Sequence, residues 1–148
     1  IQIVKLEPAV YAAGSFFIHV FLLHKFLNEF PLTLFSYHLI MHVEEIREYL
    51  LLKDNVTEGF PFGEDTLVFK VKTKIFALLS LDSSPLQFNV KCDPEEAIRL
   101  REEYPDAVLP GYHMNKKHWN TIIVDGRLSK KQILKMLDDS YKLAGNIK

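Results

Sequence analysis

The sequence predicts an α+β domain built on an antiparallel sheet, and three observations carry that prediction. Apolar residues recur with period two at Leu67, Phe69 and Val71, and again at Leu86, Phe88 and Val90. They recur at helical spacing at Val43, Ile46 and Leu50, and at Ile133, Leu137, Tyr141 and Ala144. Short polar turns, Lys72-Thr73 and Asp82-Ser83-Ser84-Pro85, join the strand-like runs, so consecutive strands pair as a meander. The predicted order is helix, three strands, helix, one or two strands, helix.

Each element has its own local reason. The first helix alternates Val43, Ile46 and Leu50 with Glu44, Glu45, Arg47 and Glu48, and is expected to end near Asp54-Asn55. Gly59-Phe60-Pro61-Phe62-Gly63 reads as a loop with two aromatics. Leu67 to Val71 is the first strand, and the nearly all-apolar run Ile75 to Leu81 is a central one. Leu86 to Lys91 has one apolar and one polar face. Asp93-Pro94-Glu95-Glu96 starts a helix: Asp93 caps free N–H groups, Pro94 suits the first position, and the acids meet the positive end of the dipole. That helix runs to about Glu103. Pro105 and Pro110 bracket a loop. A strand follows from about His118 to Val124, and Ser129-Lys130-Lys131-Gln132 is a capping box for the last helix, with Gly145 as its expected stop.

The totals narrow the function. A chain of 148 residues holds one domain with a real core, and a net charge of −1 gives no global field toward nucleic acid or an acidic membrane. Binding of either kind must come from a local patch. The single Cys92 excludes an internal disulfide framework and a Cys-based zinc site, and fits a reduced cytosolic setting.

Residues 1–40 differ from the rest. Their only formal charges are Lys5, Glu7, Lys25 and Glu29, and they are rich in Phe and Tyr. Pro8 to His24 lacks Asp, Glu, Lys and Arg but falls short of the roughly 20 residues a membrane span needs. Three readings stand: an extension foreign to the domain with Met41 as the natural start, a packed helical addition broken near Pro31, or a membrane or targeting segment. The domain proper is taken as residues 41–148.

Gly111 to Gly126 concentrates the candidate chemistry, with Tyr112, His113, Asn115, Lys116, Lys117, His118 and Trp119 in one polar stretch. His113 and His118 have no third ligand nearby, so metal binding is not expected, and the imidazoles are read as bonded to backbone or a carboxylate. Cys92 stands beside a helix N-terminus, where a thiol can be activated, but no nucleophile motif accompanies it. No catalytic residue or cofactor is assigned. Lys70, Lys72 and Lys74 surround the first hairpin turn, Lys91 extends the polar face of the third strand, and Lys116 and Lys117 precede Trp119. Such a hairpin can press against phosphate and a Trp beside Lys can stack on a base. The alternative is a solvated Lys-rich turn protecting a sheet edge, with Trp119 in the core.

His113-Met114-Asn115-Lys116-Lys117-His118-Trp119-Asn120-Thr121, then Asp125-Gly126 and Ser140-Tyr141, resembles the MmcQ/YjbR family. Phe69-Lys70-Val71, Phe76-Ala77, Val90-Lys91-Cys92-Asp93-Pro94 and Leu100-Arg101 match it further, so the resemblance spans about residues 41–148. It implies a compact α+β domain similar in layout to the CyaY and secretion-chaperone folds, in a bacterial, cytoplasmic protein. It also implies DNA binding in a double-wing mode, with one wing at Lys72-Thr73 flanked by Lys91 and Lys116-Lys117. Iron binding, which a frataxin-like layout could suggest, would need more acids than Glu44, Glu45 and Glu48. The leading expectation is a non-enzymatic module that binds DNA weakly and in a salt-dependent way. The rivals are a module binding another protein chain, and a small-molecule or enzyme site around Tyr112, His113, Asn115, His118 and Trp119. No membrane association is expected of residues 41–148.

Overall fold

The computed structural model describes residues 41–147, and the expectations for residues 1–40 fall outside them. The elements are α1 (Val43–Leu51), β1 (Val56–Gly59), β2 (Thr66–Val71), β3 (Lys74–Ser80), β4 (Leu86–Lys91), α2 (Pro94–Glu103), β5 (Val108–Pro110), β6 (Trp119–Val124) and α3 (Lys130–Gly145). They form the α+β domain the pattern predicts. The strands make one antiparallel sheet in the order β1-β2-β3-β4-β6-β5. No helix among the described residues is long and apolar enough to cross a membrane.

The local signals that needed no partner hold. Asp93 Oδ1 accepts the Glu95 and Glu96 amides at 3.0 and 3.5 Å, with Pro94 opening α2. Ser129 and Gln132 close a reciprocal capping box on α3. Three local expectations are corrected. Helix α1 stops at Leu51 rather than Asp54-Asn55, with Leu52 as its cap, and Asn55 in the left-handed conformation (φ 58°) leads the chain into β1. Strand β1 was unforeseen: it is an edge strand of four residues with only Val56 and Gly59 half-covered, so it has no apolar alternation. The Pro105–Pro110 loop contains β5, an edge strand short enough to end in proline. Helix α3 ends at Gly145 as expected, with Asn146 capping it in the left-handed conformation (φ 52°).

The core lies between one sheet face and the helices. Phe69, Val71, Ala77, Leu79, Phe88, Val90 and Ile122 meet Ile46, Leu50, Ala97, Ile133 and Leu137 there. Strand β3 contributes more than period two allows. Its register against β2 slips between Phe69 and Lys70, so Phe69 pairs with Ala77 and Lys70 with Ile75. Phe76 is the extra residue of a β-bulge, and both Phe76 and Ala77 enter the core. The nearly continuous apolar run in β3 follows from this.

The bulge has a cost on the other side of β3. The β3–β4 ladder ends at Ala77 and Val90, so Phe76 C=O and Lys91 N–H lack strand partners. Ser140, fully buried on α3, supplies both. Its hydroxyl donates to Phe76 O at 2.6 Å and accepts from Lys91 N at 2.8 Å. One hydroxyl thus ties the last helix to two strands. Substituting Ser140→Ala leaves a buried donor and acceptor unpaired. The expected loss is about 2–4 kcal/mol, read as a melting temperature lowered by roughly 10 °C or more in a thermal scan.

Candidate functional site

The loop between β5 and β6 is fixed by backbone groups and by two side chains from elsewhere. Gly111 N–H bonds Trp119 O at 2.9 Å, so the loop closes on itself. A Cβ on Gly111 would come within 2.7 Å of Trp119 Cβ, so no other residue fits that approach. Tyr112 N–H donates to Thr121 Oγ1 at 3.0 Å, and that hydroxyl donates to Asn89 Oδ1 at 2.6 Å. Asn115 turns the tip: its Oδ1 accepts from Lys117 N at 3.0 Å and its carbonyl from His118 N at 2.9 Å. Arg101, near the end of α2, reaches across to donate to Lys116 O, Trp119 O and Asn120 Oδ1. Arg101 is the pin of the loop. The sequence showed it only as part of a matched Leu-Arg pair, since a bond across 15 to 19 residues has no local signature.

Two expectations change here. The His113 and His118 side chains do not hold the loop. Both are exposed; His113 sits at φ 54° with its ring 4.0 Å from that of Tyr112, and His118 acts through its backbone, its carbonyl accepting from Cys92 N at 2.8 Å. Trp119 is only 7% exposed, which removes it as a stacking platform for a base. It sits outside the main core, with Val68 and Leu78 on the opposite face of the sheet and Met114 packed against them. Its ring carries the Lys91 ammonium at 5.8 Å, so Trp119 orients a cation.

Of the sequence candidates, the structure brings five to one groove. Lys74, Lys91, Asn115, His118 and Trp119 line it with the end of α3 (Leu143, Ala144 and Asn146), enclosing about 470 Å3. No carboxylate is among its described lining residues. Lys70, Lys72, Lys116 and Lys117 belong to the same hairpin and loop but do not line the groove, nor do Tyr112 and His113. Lys72, at φ 58°, forms the hairpin tip with Thr73. Other cations are engaged: Arg47, Lys53, Arg99, Arg127, Lys130 and Lys135 all form ion pairs. None of Lys70, Lys72, Lys74, Lys91, Lys116 or Lys117 pairs with a carboxylate among the described residues.

Cys92 is buried. Burial first, then the charges of Glu96 and Asp93, push its thiol up to about 11, against the helix-terminus activation the sequence had raised. Among the described residues no three His, Cys, Asp or Glu side chains are grouped to hold a metal ion.

The YjbR family profile matches residues 51–143. The uncharacterized protein YjbR of Escherichia coli (strain K12) is 31% identical over 107 residues, covering 72% of this chain and 90% of that protein. YbdF of Escherichia coli O157:H7 is 37% identical over 84 residues, covering 57% of this chain and 68% of the relative. The crystal structure of Deinococcus radiodurans DR2400, a DUF419 domain, superposes with a TM-score of 0.68 at 37% identity, covering 70% of this chain and 78% of that one. A crystal structure from Pseudomonas syringae gives 0.58 at 27% identity, covering 70% and 99%.

Two expectations test this geometry. Since the Cys92 thiol stays protonated up to a pH near 11, its alkylation by iodoacetamide at pH 8 should run about 100-fold or more slower than that of a free thiol with a pKa near 8.5, and accelerate as pH rises. Substituting Arg101→Ala removes three acceptors' shared donor. It is expected to cost roughly 2–3 kcal/mol, with amide hydrogen exchange rising first across residues 112–118.

Proposed function

The chain belongs to the YjbR family, and on that premise we propose that it is a small cytoplasmic, non-catalytic module that binds DNA through its phosphate backbone at the lysine groove. One observation carries the reading: a groove where Lys74 and Lys91 stand unpaired beside Asn115 and His118, with no carboxylate among its described lining residues, in a chain of net charge −1. A protein without a global positive field can hold a polyanion only where its cations are gathered and left free. The hairpin tip with Lys72 and the loop with Lys116 and Lys117 extend the supply of exposed ammonium groups on either side in the chain.

The groove favours contact with phosphate over readout of bases. Lysine is a flexible point charge, and Trp119, too buried to stack, steadies Lys91 instead. Affinity should therefore be weak, tolerant of sequence and strongly salt-dependent. The non-catalytic part of the reading is supported by the burial of Cys92. A second reading, a module that binds another protein chain, is favoured by Phe60 and Phe62, which are 53% and 64% exposed in the β1–β2 loop.

The test is a titration of a duplex oligonucleotide at several salt concentrations. With about four phosphate contacts, affinity should fall roughly 100-fold between 50 and 200 mM salt. The double substitution Lys74→Gln with Lys91→Gln should reduce the slope of log affinity against log salt by about 2. A curve flat in salt, or a slope unchanged by the double substitution, overturns the groove and leaves the protein-binding reading.

A further inference from the structure

On the helix side of the sheet, α2, α3, β4 and β6 enclose a second cavity of about 150 Å3. Its walls include Val90, Leu100, Ile122 and Met136, and Asn120 lines it from β6. Asn120 is fully buried. Its Oδ1 accepts from Arg101 Nε at 2.8 Å, which fixes the amide orientation and leaves Nδ2 as the other end. Among the described residues Nδ2 has no hydrogen-bond partner, and it is the one buried side-chain polar atom in that position. A buried donor without an acceptor is costly and uncommon in a core this well satisfied.

The cavity therefore combines an apolar volume, of a size known to admit a benzene-sized molecule, with a wall residue that holds an unpartnered donor. The charges at its mouth are matched or engaged elsewhere: Lys91 also lines the cavity, but its ammonium lies 5.8 Å from the Trp119 ring, on the other side of the sheet. Arg99 pairs with Glu96 and Glu103, and Lys135 with Asp139. A charged ligand would have to break an existing pair to find a counter-ion, whereas an uncharged one would not. We propose that this cavity is a binding site for a small, uncharged, mostly apolar molecule whose carbonyl-type oxygen, as in a ketone or an amide, accepts from Asn120 Nδ2. The site lies on the opposite side of the sheet from Trp119. It shares Lys91 with the lysine groove, but its donor and its apolar walls are not groove residues, so it is tested apart from DNA binding.

Two probes of nearly equal shape decide it. Cyclopentanone carries the acceptor, and methylenecyclopentane replaces that oxygen with a CH2 group. Each is titrated into the isotope-labelled full chain and followed by NMR. The ketone should shift the Asn120 side-chain amide and the methyl groups of Val90, Leu100 and Ile122, and bind about fivefold or more tightly than the alkene. In Asn120→Asp, which keeps an oxygen for Arg101 and turns the donor into an acceptor, that preference should vanish. The wild-type comparison decides the matter even if this variant does not fold. Equal affinity for the two probes, no response at Asn120, or no binding of the ketone overturns the proposal, and would leave Asn120 to a water molecule.

Discussion

The hydroxyl of Ser140 is the contact through which this domain's helices and sheet become one structure. Hydrophobic packing alone would let α3 slide along the apolar face of the sheet, because such packing is roughly proportional to area and has no direction. The bonds to Phe76 O and Lys91 N do have direction, and they set where α3 lies along the strands. The bulge in β3 makes them necessary, and the bulge in turn admits two core residues, Phe76 and Ala77, where a regular strand would admit one. The same bond holds the backbone of Lys91, whose side chain lines the groove. Core packing and groove geometry thus share one polar anchor.

What could be read from the sequence was what the chain decides within a few residues. The Asp93 cap, the Ser129–Gln132 box and the alternation of Leu86, Phe88 and Val90 each depend on neighbours in sequence, and the structure keeps all three. The lost features depend on partners far along the chain. Strand β1 exists because β2 offers an edge, not because Val-Thr-Glu-Gly has strand character. The bulge is invisible in a run such as Ile75 to Ser80, where every residue but the last is apolar and no alternation can slip. The role of Arg101 and the packing of Gly111 against Trp119 are contacts between distant segments. The candidate lysines were legible as residues. Which of them share a groove depended on α3, whose end completes it.

The groove and the cavity carry different chemistries. One presents unpaired ammonium groups along an open groove, and the other encloses a small apolar space with a single free donor. Arg101 touches both. Its guanidinium bonds Asn120, which lines the enclosed cavity, and the Lys116 and Trp119 carbonyls of the loop beside the groove. A planar, forked donor can serve several acceptors at fixed angles, which a lysine at this position could not do. The loop and the cavity wall therefore share one rigid support.

The placement of Trp119 has a spectroscopic consequence. It is the only tryptophan in the chain, so all indole emission comes from one site. The ring is shielded from solvent, and the nearest described cation above it is the ammonium of Lys91 at the groove. A neutralised or displaced ammonium changes the electric field across that ring. The protein thus contains its own unlabelled reporter, whose emission colour tracks the state of one particular lysine.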